Sequence, residues 1–74
     1  MKHKNHLRKV REERMMSKSE LARKAGISVL TVGRIERGSA CRYVTKRKLL
    51  AALEIAIQDR ALVFPDPPDT EESS

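Results

Sequence analysis

Between Ser17 and Gly38 the chain states one local pattern twice: a serine opens a stretch free of proline, and a glycine closes it nine or ten residues later. The first stretch begins Ser17-Lys18-Ser19-Glu20, a capping box in which the Ser17 hydroxyl accepts from the Glu20 amide and the Glu20 carboxylate reaches back to the Ser17 amide. A helix therefore starts at Lys18, with Leu21, Ala22 and Ala25 on its inner stripe. Gly26 ends it, because glycine enters the left-handed region without a Cβ penalty. Ser28 is a good N-cap for a further helix, about Val29 to Arg37, in which Val32 and Ile35 lie three apart on one face. Gly38 closes that helix as Gly26 closes the one before. The spacing predicts two short helices around a tight turn.

The flanks read as helices too. Asn5 is placed to cap a first helix running to about Arg14, with Leu7, Val10 and Arg14 on one face and Arg8, Lys9, Glu12 and Glu13 on the other. Thr45 is placed to cap a fourth, whose Leu49, Leu50, Ala52, Leu53, Ala56 and Ile57 keep helical spacing with no Gly or Pro between them. That helix is expected to run to about Leu62. Pro65, Pro67 and Pro68 then block helix, and Asp66 to Ser74 lacks apolar side chains, so a disordered acidic tail is expected over residues 65–74. The remaining 1–64 form one all-α domain of four or five helices. Its core has to come from aliphatic residues, since Tyr43 and Phe64 are the only aromatics.

A chain of 74 residues leaves little room for an enclosed catalytic cavity. No nucleophile, base and orienting group converge in the sequence, and no Gly-rich phosphate loop or metal cluster is present, so an enzyme is not expected and no cofactor is implied. His3 and His6 share a helical face but have no carboxylate or Cys beside them, which makes a poor metal site. Cys41 stands alone, so no intrachain disulfide forms, and a reducing cytoplasm is the expected location. Arg42 beside it leaves two readings, a redox-sensitive thiol or an incidental loop cysteine. No stretch approaches a membrane span.

The net charge of +6 is unevenly distributed: residues 1–60 hold all 16 Lys and Arg against 6 acids, and residues 61–74 hold the other 4 acids. A basic domain of this kind points to a polyanion, either nucleic acid or an anionic surface, although solubility alone also accommodates such a charge.

In a helix-turn-helix the first helix crosses the phosphates and the second enters the groove, which requires a small residue at the crossing and a Gly-type turn a few residues later. Ala22 and Gly26 stand at those places, and Leu21, Ile27, Val32 and Ile35 supply the buried contacts. From Ser17 to Gly38 this segment resembles the helix-turn-helix of the Cro and phage-repressor superfamily, the XRE family. The similarity continues through Thr45-Lys-Arg-Lys-Leu-Leu-Ala-Ala-Leu53 and covers about Leu7 to Ile55. It implies a lambda-repressor-like DNA-binding fold. It also implies a bacterial or phage-encoded transcription regulator that acts on the nucleoid and binds double-stranded DNA as a homodimer; so short a chain offers little surface for activation, which favours a repressor.

Carried over by position, the resemblance places Val29, Leu30, Gly33 and Arg34 where recognition-helix side chains face base edges. A guanidinium at Arg34 suits O6 and N7 of guanine, or a phosphate. Lys18, Ser28 and Thr31 match phosphate-contacting positions near helix N-termini, and Arg37, Arg42 and Lys46 flank the same side. Arg11 and Glu36 match a pair that bridges the first helix to the end of the third.

Four departures from the family pattern carry expectations of their own. Val29 and Leu30 replace polar readers, so they either contact thymine methyls or face a protein partner. Gly33 weakens its helix by about 1 kcal/mol relative to Ala, through close approach to DNA or simple drift. Met15 replaces a helix-ending Gly. Glu54 replaces the Gly that separates the fourth and fifth helices, so one long helix ending in Ala61-Leu62-Val63-Phe64 is expected. The rival function is a protein-interaction module on the same scaffold, docking through Val29, Leu30 and Leu62 to Phe64; antitoxins, excisionase-like factors and restriction controllers use similar domains.

Overall fold

The computed structural model describes residues 5–65, and within them every regular element is helical. The elements are α1 (Leu7–Glu13), α2 (Lys18–Ala25), α3 (Val29–Glu36), α4 (Tyr43–Ala52) and a 3₁₀ segment (Ile57–Leu62). His3 and the expected disorder of residues 66–74 lie outside the described residues.

The two central helices begin where their serines predict. Ser17 Oγ accepts from the Glu20 amide at 3.0 Å and Ser28 Oγ from the Thr31 amide at 3.1 Å. Each cap residue is extended, so its hydroxyl meets an amide that would otherwise have no partner. The outer helices differ from expectation by a few residues. His6 is the N-cap of α1 and makes no side-chain bond there; Asn5 Oδ1 instead accepts from the Leu7 amide at 3.0 Å, while its Nδ2 donates to the Ile35 carbonyl at 2.8 Å. Asn5 thereby ties the start of α1 to α3. The fourth helix is capped at Arg42 rather than at Thr45, because Arg42 is the last extended residue and its carbonyl already accepts from the Lys46 amide.

All four α-helices end in the same way, and here the structure departs furthest from the sequence reading. Met16, Ile27, Ser39 and Ile55 donate their amides five residues back, to Arg11, Ala22, Arg34 and Leu50. That closure needs a left-handed residue just before each donor, and those residues are Met15 (φ +56°), Gly26 (φ +73°), Gly38 (φ +105°) and Glu54 (φ +61°). Two of the four are not glycine, yet they adopt the glycine conformation. The expected continuous helix through Glu54 is therefore absent: α4 stops at Ala52, and the 3₁₀ segment follows as a separate element. The compensation lies in the next residue, since Met16, Ile27 and Ile55 are apolar and pack against the core.

The core joins Leu7 and Val10 of α1, Leu21, Ala22 and Ala25 of α2, Val32 and Ile35 of α3, Leu49, Leu50 and Ala52 of α4, and then Leu53, Val63 and Phe64. Arg14 does not share the inner face of α1; Arg11 is buried there in its place. Arg14 lies outside and its Nε donates to the Leu53 carbonyl at 2.9 Å, bracing the end of α4. Ala56 and Ile57, expected on the inner stripe of a long helix, are exposed because the chain turns at Glu54. Val63 and Phe64 return to the core, and the Val63 carbonyl accepts from the His6 amide at 2.7 Å, so both ends of the domain meet.

Candidate nucleic-acid interface

The helix-turn-helix is built on apolar contact between α2 and α3. Ala22 is almost fully buried, and its small side chain lets the two helices approach closely, while the turn at Gly26 sets the angle between them. At about 3.6 residues per turn, Val32 and Ile35 anchor one side of α3, while Val29, Leu30, Gly33, Arg34 and its C-cap Arg37 fall on the other. Leu30 is 71% exposed and Val29 43%, although both are aliphatic. Arg34 and Arg37 are exposed beside them.

This outward strip carries no acid. The one carboxylate of α3, Glu36, is turned inward and held by Arg11: Nε donates to Oε2 at 2.6 Å and Nη2 to Oε1 at 3.3 Å, with side chains only 8% and 4% exposed. Arg11 Nη1 also donates to the Met16 carbonyl at 2.8 Å. The hydrogen bond and charge of Glu36 outweigh burial and hold the Arg11 guanidinium above its ordinary pKa. The pair withdraws the negative end of α3 from the surface.

Lys18 is exposed at the first position of α2, and Arg42 is exposed at the N-cap of α4. Ser28 is exposed and Thr31 half-buried, their hydroxyls 2.8 Å apart at the start of α3. Lys46 is placed differently from the exposed cations. It is 8% exposed, with its ammonium 5.3 Å from the centre of the Phe64 ring. Lys46 does not stand among the exposed cations, because it lies three and four residues before Leu49 and Leu50 and so shares the inner face of α4. Cys41 is half-buried, and its thiol donates to the Arg42 carbonyl at 3.6 Å.

The apolar surface expected at Leu62 to Phe64 is also corrected. Val63 and Phe64 are core residues, 0% and 5% exposed, and only Leu62 faces out. Sequence reasoning missed the attachments made by Arg14 and by the amide of Asn5, because each meets a backbone carbonyl from a distant element and leaves no spacing signal. Among the described residues no group of three or more potential metal ligands occurs, and no helix is long and apolar enough to cross a membrane.

A small-residue crossing, a glycine turn and a second helix whose outward strip carries no acid are the features of a DNA-binding helix-turn-helix. The family described as helix-turn-helix matches residues 7–58, and the chain belongs to it, in the XRE type of Cro and phage repressors. Members are DNA-binding regulators. No curated protein and no solved structure matches this chain.

Proposed function

We propose that this protein is a sequence-specific transcriptional regulator that lays α3 in the major groove of duplex DNA and represses by occupying its site. In this reading two copies bind as a homodimer on half-sites about one helical turn apart. The setting is a bacterial or phage genome in the cytoplasm. The observation that carries the proposal is the outward strip of α3, where aliphatic and cationic side chains stand together and the only carboxylate of the helix is buried against Arg11. Apolar Val29 and Leu30 suit thymine methyls, and Arg34 suits a guanine edge or a phosphate. Lys18, Ser28, Thr31 and Arg42 supply phosphate contacts at helix N-termini, where unpaired amides favour anions.

The test is selection of bound duplexes from a random pool at about 0.15 M salt, followed by anisotropy titration of the winner against a scrambled duplex. A palindromic winner bound at least a hundredfold more tightly than the scramble is expected, on the order of the usual specific-to-nonspecific ratio or below it. Equal affinity for both duplexes would refute sequence-specific regulation. The exposure of Leu30 favours one second reading, an apolar docking site for a protein partner. Salt separates the two, because several phosphate contacts make DNA affinity fall by orders of magnitude over a severalfold salt increase, whereas an apolar interface barely responds.

A further inference from the structure

Gly33 sits in the middle of the outward strip of α3, between Val29 and Arg37 along the helix, yet it is buried. What covers it is specific. A Cβ built at position 33 meets only two heavy atoms within 4 Å, Arg37 Nη1 at 3.4 Å and Nη2 at 4.0 Å. The guanidinium of Arg37 is therefore folded back over the bare backbone of Gly33. A side chain at a helix end leans toward the N-terminus and onto the residue four positions before it, and here that residue offers no side chain to prevent contact. No ion pair fixes Arg37 to a carboxylate among the described residues.

The consequence is a displacement of function along the helix. Arg37 is the C-cap of α3, where a long cation is ordinarily available to backbone phosphates. Folded back, its planar donor group lies over Gly33, on the side of the helix that also carries the exposed Leu30 and Arg34. Gly33 and Arg37 together thus fill one position of the strip: the glycine contributes the space and the arginine the fork of donors.

We propose that Arg37 is a base-reading residue, contacting a guanine edge bidentately from the site that Gly33 leaves open, with Gly33 as the positioning residue that admits it. This rests on the DNA-binding reading above and adds a specificity-determining residue to it. It also gives Gly33 a reason in place of drift. A Cβ at position 33 would only touch the guanidinium in ordinary van der Waals contact, so it takes a side chain longer than alanine to push the guanidinium outward toward the phosphates.

The experiment uses the full chain and the duplex won by selection, together with single base-pair variants of that duplex, titrated by anisotropy at several salt concentrations. Wild type is expected to discriminate roughly five- to hundredfold at one G·C pair per half-site through Arg37. Arg37→Ala and Arg37→Lys are both expected to lose discrimination at that pair and retain it elsewhere, since an ammonium cannot form the bidentate contact. Gly33→Leu is expected to lose discrimination at the same pair with Arg37 still present. Thermal melting of each variant establishes that it is folded, and Gly33→Leu should melt no lower than wild type because leucine is the better helix former. The proposal is overturned if Arg37→Ala weakens all duplexes alike with a salt slope reduced by about one and Arg37→Lys restores it, which is a phosphate contact. It is equally overturned if Arg37→Ala changes nothing, or if Gly33→Leu leaves discrimination intact. Failure of wild type to prefer any duplex is a separate result, which removes the DNA reading and this inference with it.

Discussion

Arg11 and Glu36 join α1 to the end of α3 by a two-point ion pair, 2.6 Å at its shorter contact, in a site where neither side chain reaches solvent appreciably. The third donor of Arg11 holds the Met16 carbonyl, so the same guanidinium also braces the turn between α1 and α2. Removing one partner strands the other as a buried charge, whereas replacing both with apolar groups of similar volume does not. Glu36→Ala is expected to cost about 3 kcal/mol or more, and the Arg11→Met, Glu36→Leu double variant much less than either single loss. Thermal melting of the three proteins tests this, and equal destabilisation by the single and double variants would refute it.

The pH response of that pair follows from its sign. Glu36 raises the folded-state pKa of Arg11 above its unfolded value, so the stabilisation is complete below the unfolded pKa and is lost only as pH rises through the folded one, in strong alkali. Arg11 therefore contributes no slope to stability between neutrality and mild alkali. A melting series across that range checks it: the gap between wild type and the Arg11→Met, Glu36→Leu double variant, which leaves no stranded charge, should stay constant.

Ser28 caps α3 through its hydroxyl and stands, in the proposed complex, beside a phosphate. The two duties respond differently to substitution. Ser28→Ala should lower stability by about 1 kcal/mol through loss of the cap. Ser28→Asp should keep that stability, since aspartate caps equally well and suits the helix dipole, while its charge repels phosphate and reduces DNA affinity at least tenfold, roughly the effect of one strong adverse charge. Melting and anisotropy on the same samples separate the two effects.

Met15 and Glu54 hold positive φ without being glycine. A left-handed conformation costs an L residue about 1–2 kcal/mol, against roughly 0.5–1 kcal/mol of extra unfolded-state entropy for glycine. Met15→Gly and Glu54→Gly are each expected to stabilise the fold by up to about 1 kcal/mol, or several degrees in Tm for a domain of this size. Unchanged or lower Tm in both would show that the backbone strain has already been relieved at these turns.

Phe64 lies beyond the matched family region, which ends at residue 58, yet it is buried and carries the ammonium of Lys46 over its ring. Phe64→Ala should cost about 3–4 kcal/mol. A chain ending at Gln58 would lose both Val63 and Phe64 from the core and the bond from His6 to the Val63 carbonyl. Circular dichroism should show it largely unfolded; a cooperative melt close to wild type would refute that role.

The central motif was legible because its signals are local. Ser17, Gly26, Ser28 and Gly38 act within a few residues of themselves, and the stripes of Leu21, Ala22, Ala25, Val32 and Ile35 need only helical geometry to define an inner face. The helix-turn-helix, the all-helical class and the family resemblance therefore follow from the amino-acid order. The end of α4 does not, because Glu54 has poor preference for the conformation it adopts. The usable signal is the apolar residue after three of the four turns, Met16, Ile27 and Ile55, each of which packs on the core.

What the amino-acid order determined by itself was thus where helices start, where glycine stops them, and that α3 would carry its cations outward. Only the tertiary structure decided that Glu36 is withdrawn by Arg11, that Lys46 turns toward Phe64, that Met15 and Glu54 take a left-handed backbone, and that Arg37 lies over Gly33. Most of these bring together groups whose competing positions differ little in local preference. Burial of a neighbouring apolar residue, or removal of one charge from water beside another, then settles the choice, and those energies exist only once the elements have packed.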